Sequence, residues 1–153
     1  MQVRPAHIVD ADDAIDVVRR SIHRLCELDY KGDPATLSMW LSNKTAENMR
    51  RWIDTHAVFV AIDDERIVGI AAATADGVVL LNYVAPEARF KGASKSLINE
   101  IEIWASSRGI KCLALESTAT ALRFYQSNGW TSTGPPQPGF GVTTRNPMHK
   151  AIA

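Results

Sequence analysis

The sequence predicts a mixed α/β domain with a single, mostly antiparallel central sheet flanked by helices. Three observations predict it. The N-terminal third has the apolar period of helices, and the middle holds three strand-like segments separated by charged or glycine-containing turns. A glycine-containing loop then leaves the last of these strands and enters a long amphipathic helix. At 153 residues the chain is most simply one domain covering 1–153.

The N-terminal third is expected to form one short strand and three helices. The strand covers 2–4, and Asp10 is expected to cap a helix over about 11–29. Pro34 begins a second helix, and Thr45 caps a third. Apolar side chains that recur on one face support these helices: Ile15, Val18, Ile22, Leu25 and Cys26 in the first, Leu37, Trp40 and Leu41 in the second, and Met49, Trp52 and Ile53 in the third.

The middle of the chain changes to the period of strands. Residues 58–62 and 67–73 flank a charged turn and are expected to form a hairpin. Asp76-Gly77 marks a second turn, and 78–84 supplies a third antiparallel strand. These three strands predict the antiparallel part of the sheet.

The C-terminal half alternates helices and strands. Apolar residues spaced three and four apart predict a helix over 93–108, which Gly109 ends. A buried strand is expected at 111–115, a helix at about 119–127 and a further strand from Trp130.

The last section of the chain is less regular. Prolines and glycines in 134–139 predict an exposed loop. Residues 142–150 alternate weakly and are expected to form a final strand. Pro147 has no backbone N–H to donate, so we expect it at an edge, a bulge or a strand end.

Composition excludes several classes of protein. Lys plus Arg and Asp plus Glu both number 17, which argues against a protein that mainly coats nucleic acid or an anionic membrane, although a local basic patch stays possible. Cys26 and Cys112 form neither a disulfide framework nor a zinc motif, and no metal site is expected. No apolar run approaches the length of a membrane span, and the N-terminus lacks a signal-peptide pattern. We therefore expect a cytoplasmic protein.

The loop between 84 and 94 has the features of an anion site. It leaves a strand and enters a helix, with Gly92 at its tightest point, so several backbone N–H groups point in one direction. These donors and the positive end of the helix dipole favour phosphate, and Arg89, Lys91 and Lys95 add positive charge. The sequence predicts a phosphorylated cofactor here. The alternative is that Gly92 only eases a tight turn.

Two motifs resemble those of the GCN5-related N-acetyltransferase (GNAT) superfamily. The first, a strand ending V-x-P followed by R/Q-x-x-G-x-G/A, is present as Val84-Ala85-Pro86 and then Arg89-Phe90-Lys91-Gly92-Ala93-Ser94. The second, A-x-x-F-Y-x-x-x-G-F/W, is present as Ala121-Leu122-Arg123-Phe124-Tyr125-Gln126-Ser127-Asn128-Gly129-Trp130. A helix and a strand separate them, as the family requires. Ser94 departs from the usual Gly or Ala, and Thr118 stands where many members carry Asn.

The resemblance implies a GNAT-like fold and an acetyl-CoA-dependent N-acetyltransferase that transfers acetyl directly to a primary amine, without a metal. It places the pyrophosphate of acetyl-CoA on the backbone N–H groups of about Phe90 to Ser94 and the thioester near Tyr83. Tyr125 takes the role of a general acid that protonates the departing thiolate. The alternative for Tyr125 is an aromatic side chain packed on the sheet. The expected cofactor-binding residues are Tyr83, Val84, Arg89, Phe90, Lys91, Gly92, Ala93, Ser94, Thr118 and Phe124.

The acceptor is expected to be a small molecule or a peptide with a free amine. Asp29 and Tyr30 lie at the end of the first helix, a region that lines the acceptor pocket in similar folds, and Asp29 could bind a cationic substrate. Glu116 follows a buried strand and is the candidate general base, acting through water; otherwise it is a solvated carboxylate. Asn82 points either to the cleft, as a substrate-binding residue, or to the solvent face.

A second class of function stays open, namely a non-catalytic acyl-CoA-binding sensor or interaction module that keeps the loop but acetylates nothing. Binding of acetyl-CoA without thiol release across a broad panel of amines would distinguish it from an enzyme. Homodimers are common among the proteins that this chain resembles.

Overall fold

The computed structural model describes residues 1–152, which form six α-helices and eight β-strands. The helices are α1 (Ala11–Leu25), α2 (Glu27–Tyr30), α3 (Pro34–Leu41), α4 (Ala46–Thr55), α5 (Ala93–Ser107) and α6 (Leu122–Ser127). The strands are β1 (Gln2–Pro5), β2 (Ala57–Asp63), β3 (Arg66–Ala73), β4 (Val79–Val84), β5 (Cys112–Ser117), β6 (Thr131–Ser132), β7 (Gln137–Pro138) and β8 (Thr144–Ala151). Short 3-10 helices lie at Ile8–Asp10 and Pro86–Ala88.

The predicted first helix is divided in two at Cys26. This residue has φ −106° and ψ 22°, outside helical values, and it separates α1 from α2. The hydroxyl of Tyr30 donates to the carbonyl of His23 in the last turn of α1, which holds the short α2 against the end of α1. Both Asp29 and Tyr30 are buried as a result of this arrangement.

The helix caps follow the prediction at α4 and depart from it at α1. The hydroxyl of Thr45 accepts from the backbone N–H of Asn48 at 3.2 Å, as an N-cap does. The carboxylate of Asp10 forms no such cap on α1. It pairs with the guanidinium of Arg4 at 2.8 Å and accepts from the backbone N–H of His7 at 2.7 Å. Its oxygens therefore bind a side chain of β1 and the start of the preceding 3-10 helix instead of the N-terminus of α1.

The strands form two antiparallel sheets, and the predicted class of fold is confirmed. The first sheet has the order β1-β2-β3-β4, and the second has the order β5-β8-β6, with β7 paired to β8. Val78 and Ala114 make a parallel bridge where β4 and β5 begin, and the N–H of Ala114 donates to Gly77 at 3.0 Å. The predicted single sheet is therefore two sheets joined at this bridge.

A cleft follows from this topology. Within residues 1–152 the parallel pairing does not continue along β4 and β5, so their C-terminal ends are free of each other. In β4 the pairing with β3 shifts by one residue between Leu81 and Val79, which makes Leu80 a bulge. The open ends of β4 and β5 expose side chains and backbone to a ligand.

The core lies on both faces of the first sheet. α5 packs on one face, where Leu97, Ile98 and Ile101 are fully buried, and α1 and α4 pack on the other, where Ile22 and Met49 are fully buried. Alternate residues of β2 and β3 face the two sides: Phe59, Ala61, Ala71 and Ala73 toward α5, and Val58, Val60, Ile70 and Ala72 toward α1. This packing fixes the N-terminus of α5 beside the end of β4.

The proline-containing end of the chain is more ordered than the sequence predicts. Residues 134–138 are exposed, as expected, and Gly139 is half-buried, but Gln137–Pro138 pairs with β8. Pro147 lies within β8, opposite Glu116 of β5. The carbonyl of Pro147 accepts from the backbone N–H of Thr133, the residue after β6, at 3.0 Å. In an antiparallel pair the nitrogen and the carbonyl of a residue face the same neighbouring strand. The proline nitrogen, which has no hydrogen to donate, therefore faces a position just beyond the end of β6.

None of the helices within residues 1–152 is both long enough and apolar enough to cross a membrane.

Candidate active site

The loop between β4 and α5 presents an uncapped helix N-terminus. The first intrahelical bond of α5 runs from the N–H of Ser96 to the carbonyl of Gly92 at 3.0 Å, so the three preceding N–H groups have no partner in the helix. Gly92 has φ +83°, and a Cβ there would point into open space. The backbone of this loop can therefore approach an anion closely.

The same loop contains a residue with left-handed backbone, Phe90, beside a positively charged side chain, Arg89. Phe90 has φ +66°, a value that a bulky residue rarely adopts, and the residue is 90% exposed. The guanidinium of Arg89 lies over the Phe90 ring at 4.6 Å from its centroid. Left-handed backbone at a non-glycine residue is found preferentially at functional sites, which agrees with the sequence-based interpretation of the loop.

A cavity of about 420 Å³ extends from this loop into the cleft between β4 and α6, and we call it the donor cavity. Nine of the ten predicted cofactor-binding residues line it, and Lys91 is the exception among the described residues. The predicted residues that line it are Tyr83, Val84, Arg89, Phe90, Gly92, Ala93, Ser94, Thr118 and Phe124. Sequence reasoning missed Ser21 and Leu25 of α1, which also line the cavity, because an ordinary helix face carries no signal of a ligand.

Tyr125 lies at the inner end of the donor cavity. It is only 6% exposed, and its ring packs edge-on against Phe124 and Trp130 at centroid distances of 5.1 and 5.5 Å. Burial raises the pKa of Tyr125 to about 12, and the hydrogen bond from Asn82 offsets part of that effect. The phenol therefore keeps its proton at neutral pH, as a general acid must.

Asn82 faces the cleft, which decides between the two orientations that the sequence left open. Its amide Nδ2 donates to the hydroxyl oxygen of Tyr125 at 3.3 Å. Its Oδ1 is buried and has no hydrogen-bond partner within residues 1–152. A buried acceptor without a donor is uncommon, so this oxygen is available to a ligand in the cleft.

A second cavity of about 650 Å³ is lined by residues of α3, β4 and the end of β5, and we call it the acceptor cavity. Tyr83 and Thr118 line both cavities, so the two meet at these residues. Trp40 and Phe140 form part of the second wall, with ring centroids 5.6 Å apart in an edge-to-face arrangement. Burial raises the pKa of Tyr83 above its ordinary value.

Glu116, the candidate base, lies in the acceptor cavity near the end of β5. It is half exposed, and the guanidinium of Arg145 approaches it at 3.5 Å. Arg145 also donates through Nε to the carbonyl of Pro138 at 3.1 Å, which holds the pair against β7. The catalytic role of Glu116 stays a prediction.

Asp29 lines the acceptor cavity, as expected of a substrate-binding residue, but its carboxylate already has partners within the protein. Its role in binding a substrate stays a prediction. Asp29 is 3% exposed, and its carboxylate accepts from the backbone N–H groups of Ala119 and Thr120 at 2.6 and 3.3 Å and from the hydroxyl of Thr120. These bonds hold the segment between β5 and α6, which carries Thr118. Tyr30 is buried and, among the described residues, is not part of either cavity wall.

Thr118 departs from the Asn of many similar proteins without leaving the segment uncapped. Its hydroxyl accepts from the backbone N–H of Ala121 at 3.0 Å and so caps the turn before α6. Ser94 sits in the first turn of α5, where the uncapped N–H groups lie. Both hydroxyls line the donor cavity.

Comparisons with known proteins agree with this geometry. The family model described as acetyltransferase (GNAT) domain matches residues 27–152. No curated protein matches the chain in sequence.

Solved structures share the fold at low sequence identity. A GCN5-related N-acetyltransferase from Rhodopseudomonas palustris matches with a TM-score of 0.89 at 19% identity, covering 99% of this chain and 95% of that one. PaiA N-acetyltransferase from Thermoplasma acidophilum, in complex with coenzyme A, matches at 0.79 and 20% identity, covering 99% and 98%. A ribosomal-protein-alanine N-acetyltransferase from Brucella melitensis matches at 0.78 and 21% identity, covering 99% and 100%.

Proposed function

Because the chain belongs to the GNAT family of acetyltransferases, we propose that it is an acetyl-CoA-dependent N-acetyltransferase that acetylates a primary amine by direct transfer. One observation carries the proposal. A donor cavity that begins at an uncapped helix N-terminus meets a second cavity at Tyr83 and Thr118, beside the buried, protonated phenol of Tyr125.

The loop supports the choice of donor. The free N–H groups at the start of α5 and the side chains of Arg89 and Lys95 suit a pyrophosphate, and the open space at Gly92 lets it approach the backbone. The largely apolar remainder of the cavity suits the pantetheine arm. PaiA N-acetyltransferase, which has a similar fold, was solved in complex with coenzyme A, and this supports the choice of acetyl-CoA as the donor.

Tyr125 supplies the proton for the leaving group. When an amine attacks the thioester, the bond to sulfur breaks and a thiolate is released, which a nearby phenol can protonate. Asn82 donates to the phenolic oxygen, so the hydroxyl proton is not used in that bond and can be given to the thiolate. The same bond stabilises the phenolate that remains, since it offsets part of the pKa increase caused by burial.

The acceptor amine would enter through the acceptor cavity and must lose a proton before or during attack. Glu116, which lines that cavity and lies beside Arg145, is the base that we propose accepts it through water. An amine that arrives neutral needs no base. The acceptor is a small molecule or the N-terminus of a peptide; the relative from Brucella melitensis is named for a protein alanine.

Two measurements on the full chain test the proposal. We expect acetyl-CoA to bind in a calorimetric titration, and Arg89→Ala to weaken that binding while the exposed Lys111→Ala leaves it unchanged. We also expect free thiol to appear when acetyl-CoA is mixed with a broad panel of amines. Absence of acetyl-CoA binding by well-folded protein would refute the proposal. Binding without thiol release from any amine would instead support the non-catalytic sensor.

A further inference from the structure

We propose that the acceptor is a small amino acid-like molecule, which carries a carboxylate and an apolar or aromatic group in addition to its amine. The inference rests on the proposed function, because it names the substrate class of the acceptor cavity. It depends on the side chains that line that cavity on the side remote from the donor loop.

Lys44 is the central observation. It lies between α3 and α4 and lines the acceptor cavity. Its ammonium group donates to Oδ1 of Asn43 at 2.7 Å and, among residues 1–152, forms no ion pair with an acidic side chain. Partial burial lowers the pKa of Lys44 because it removes water from the ammonium group, and no carboxylate among the described residues offsets that cost. An anion in the cavity would offset it.

The other charged groups of the cavity are already engaged. Arg145 approaches Glu116 at 3.5 Å, and each therefore has a partner of opposite charge. The carboxylate oxygens of Asp29 accept from the segment before α6. Lys44 is thus the cation that remains for a ligand, and it has two further N–H groups to donate after its bond to Asn43.

The apolar wall selects the rest of the molecule. Trp40 and Phe140 stand edge to face with ring centroids 5.6 Å apart, and Met39 and Phe140 line the cavity and are exposed. Exposed aromatic and thioether side chains around a concave site favour an apolar ligand group. An amine at Tyr83 and Thr118, an apolar group at Trp40 and a carboxylate at Lys44 together describe an amino acid.

The charge pattern also opposes a polycationic acceptor. A molecule with several ammonium groups is recognised by carboxylates that are free to pair with it. Here one carboxylate is bonded to backbone N–H groups and the other to a guanidinium, while an unpaired ammonium lies in the same wall. Like charges at close range would reduce affinity.

The test compares matched amines in the wild type and in Lys44→Met, which removes the charge and keeps an unbranched apolar side chain. The probes are L-phenylalanine, L-phenylalaninamide and 2-phenylethylamine, with the corresponding leucine set, and kcat/KM is measured by thiol release. The quantity of interest is the amino acid to amide ratio. Comparing this ratio between variants cancels the different intrinsic reactivities of the amines.

We expect the ratio to fall at least tenfold in Lys44→Met, to recover in Lys44→Arg and to stay unchanged in the exposed control Lys111→Met. Acetyl-CoA affinity and the circular dichroism spectrum of Lys44→Met are expected to match the wild type, because Lys44 lies outside the donor cavity. A ratio that stays within twofold of the wild type overturns the inference.

Other outcomes separate this inference from the proposed function. If acetyl-CoA does not bind, or if no amine at all releases thiol, the proposed function itself fails. If the protein acetylates neutral peptide N-termini or simple amines but no carboxylate-bearing acceptor, the enzyme stands and the inference about its substrate class is overturned.

Discussion

Replacement of Asp29 by Asn tests how the two halves of the site are held together. Asp29 belongs to α2, yet its carboxylate accepts from Ala119 and Thr120, about ninety positions further along the chain. These bonds fix the segment that carries Thr118, where the donor and acceptor cavities meet. An amide has the same shape as the carboxylate, so the substitution changes hydrogen bonding and charge with little change in packing.

The magnitude follows from the individual bonds. An Asn can keep one oxygen toward the N–H of Ala119, but its NH₂ group then faces the N–H of Thr120, which loses its acceptor. A buried donor without a partner costs about 1–3 kcal/mol, and the remaining bond weakens by about 1 kcal/mol when its acceptor becomes neutral. The hydroxyl of Thr120 can rotate and accept. We therefore expect Asp29→Asn to lower the free energy of unfolding by about 3 kcal/mol.

Urea unfolding at neutral pH measures this change, with the exposed Asp54→Asn as the matched control. Native-state hydrogen exchange supplies a local measurement, because the amides of Ala119 and Thr120 are expected to lose protection in Asp29→Asn only. A loss below about 1 kcal/mol, together with unchanged exchange at these two amides, would show that the carboxylate does not hold the segment and that our account of it is incorrect.

Three further predictions follow from the same structure. Tyr125→Phe keeps the ring contacts and removes the proton donor, so we expect thiol release to fall at least a hundredfold with acetyl-CoA affinity nearly unchanged; equal loss of both would make Tyr125 structural. Folding raises the pKa of Tyr125 from 10 to about 12, so the unfolded chain releases this proton at a lower pH than the folded protein, and stability falls as pH rises above 9. In urea unfolding at pH 9 and pH 11, Tyr125→Phe should therefore lose about 1 kcal/mol less stability between the two pH values than the wild type. Leu97→Ala should lower the free energy of unfolding by about 3 kcal/mol, compared with less than about 0.5 kcal/mol for the exposed Ile103→Ala, and similar values for both would contradict the packing of α5.

The sequence predicts best those features that depend on neighbouring residues. Gly92, the basic residues around it and the apolar period of α5 are local signals, and the loop that they predict is present. The segment containing Phe124 and Tyr125 is equally local. Because such patterns require only a few consecutive residues to adopt a common backbone, the donor side of the site can be anticipated from one sequence.

The acceptor side depends on residues that only the fold brings together. Trp40 and Phe140 are a hundred positions apart, and the interaction of Asp29 with Thr120 crosses a similar distance. No local pattern indicates that the first predicted helix stops at Cys26, where the break buries a carboxylate and carries it to the segment before α6. Lys44 belongs to no sequence motif. The role that we propose for it depends on its place in the wall of the acceptor cavity and on its partial burial there, neither of which the sequence shows.

The bridge between Val78 and Ala114 has a consequence for how the molecule responds to its ligands. Each sheet comes from one continuous stretch of chain, residues 2–84 for the first and 112–151 for the second, with α5 connecting them. The sheets share a single ladder position among the described residues, so their alignment at the open end relies on side-chain contacts such as that of Asp29. A molecule that fills the acceptor cavity would contact both sheets at once, because residues of β4 and β5 line it. Its binding energy would therefore favour one alignment of the open ends, and occupancy should raise the free energy of unfolding.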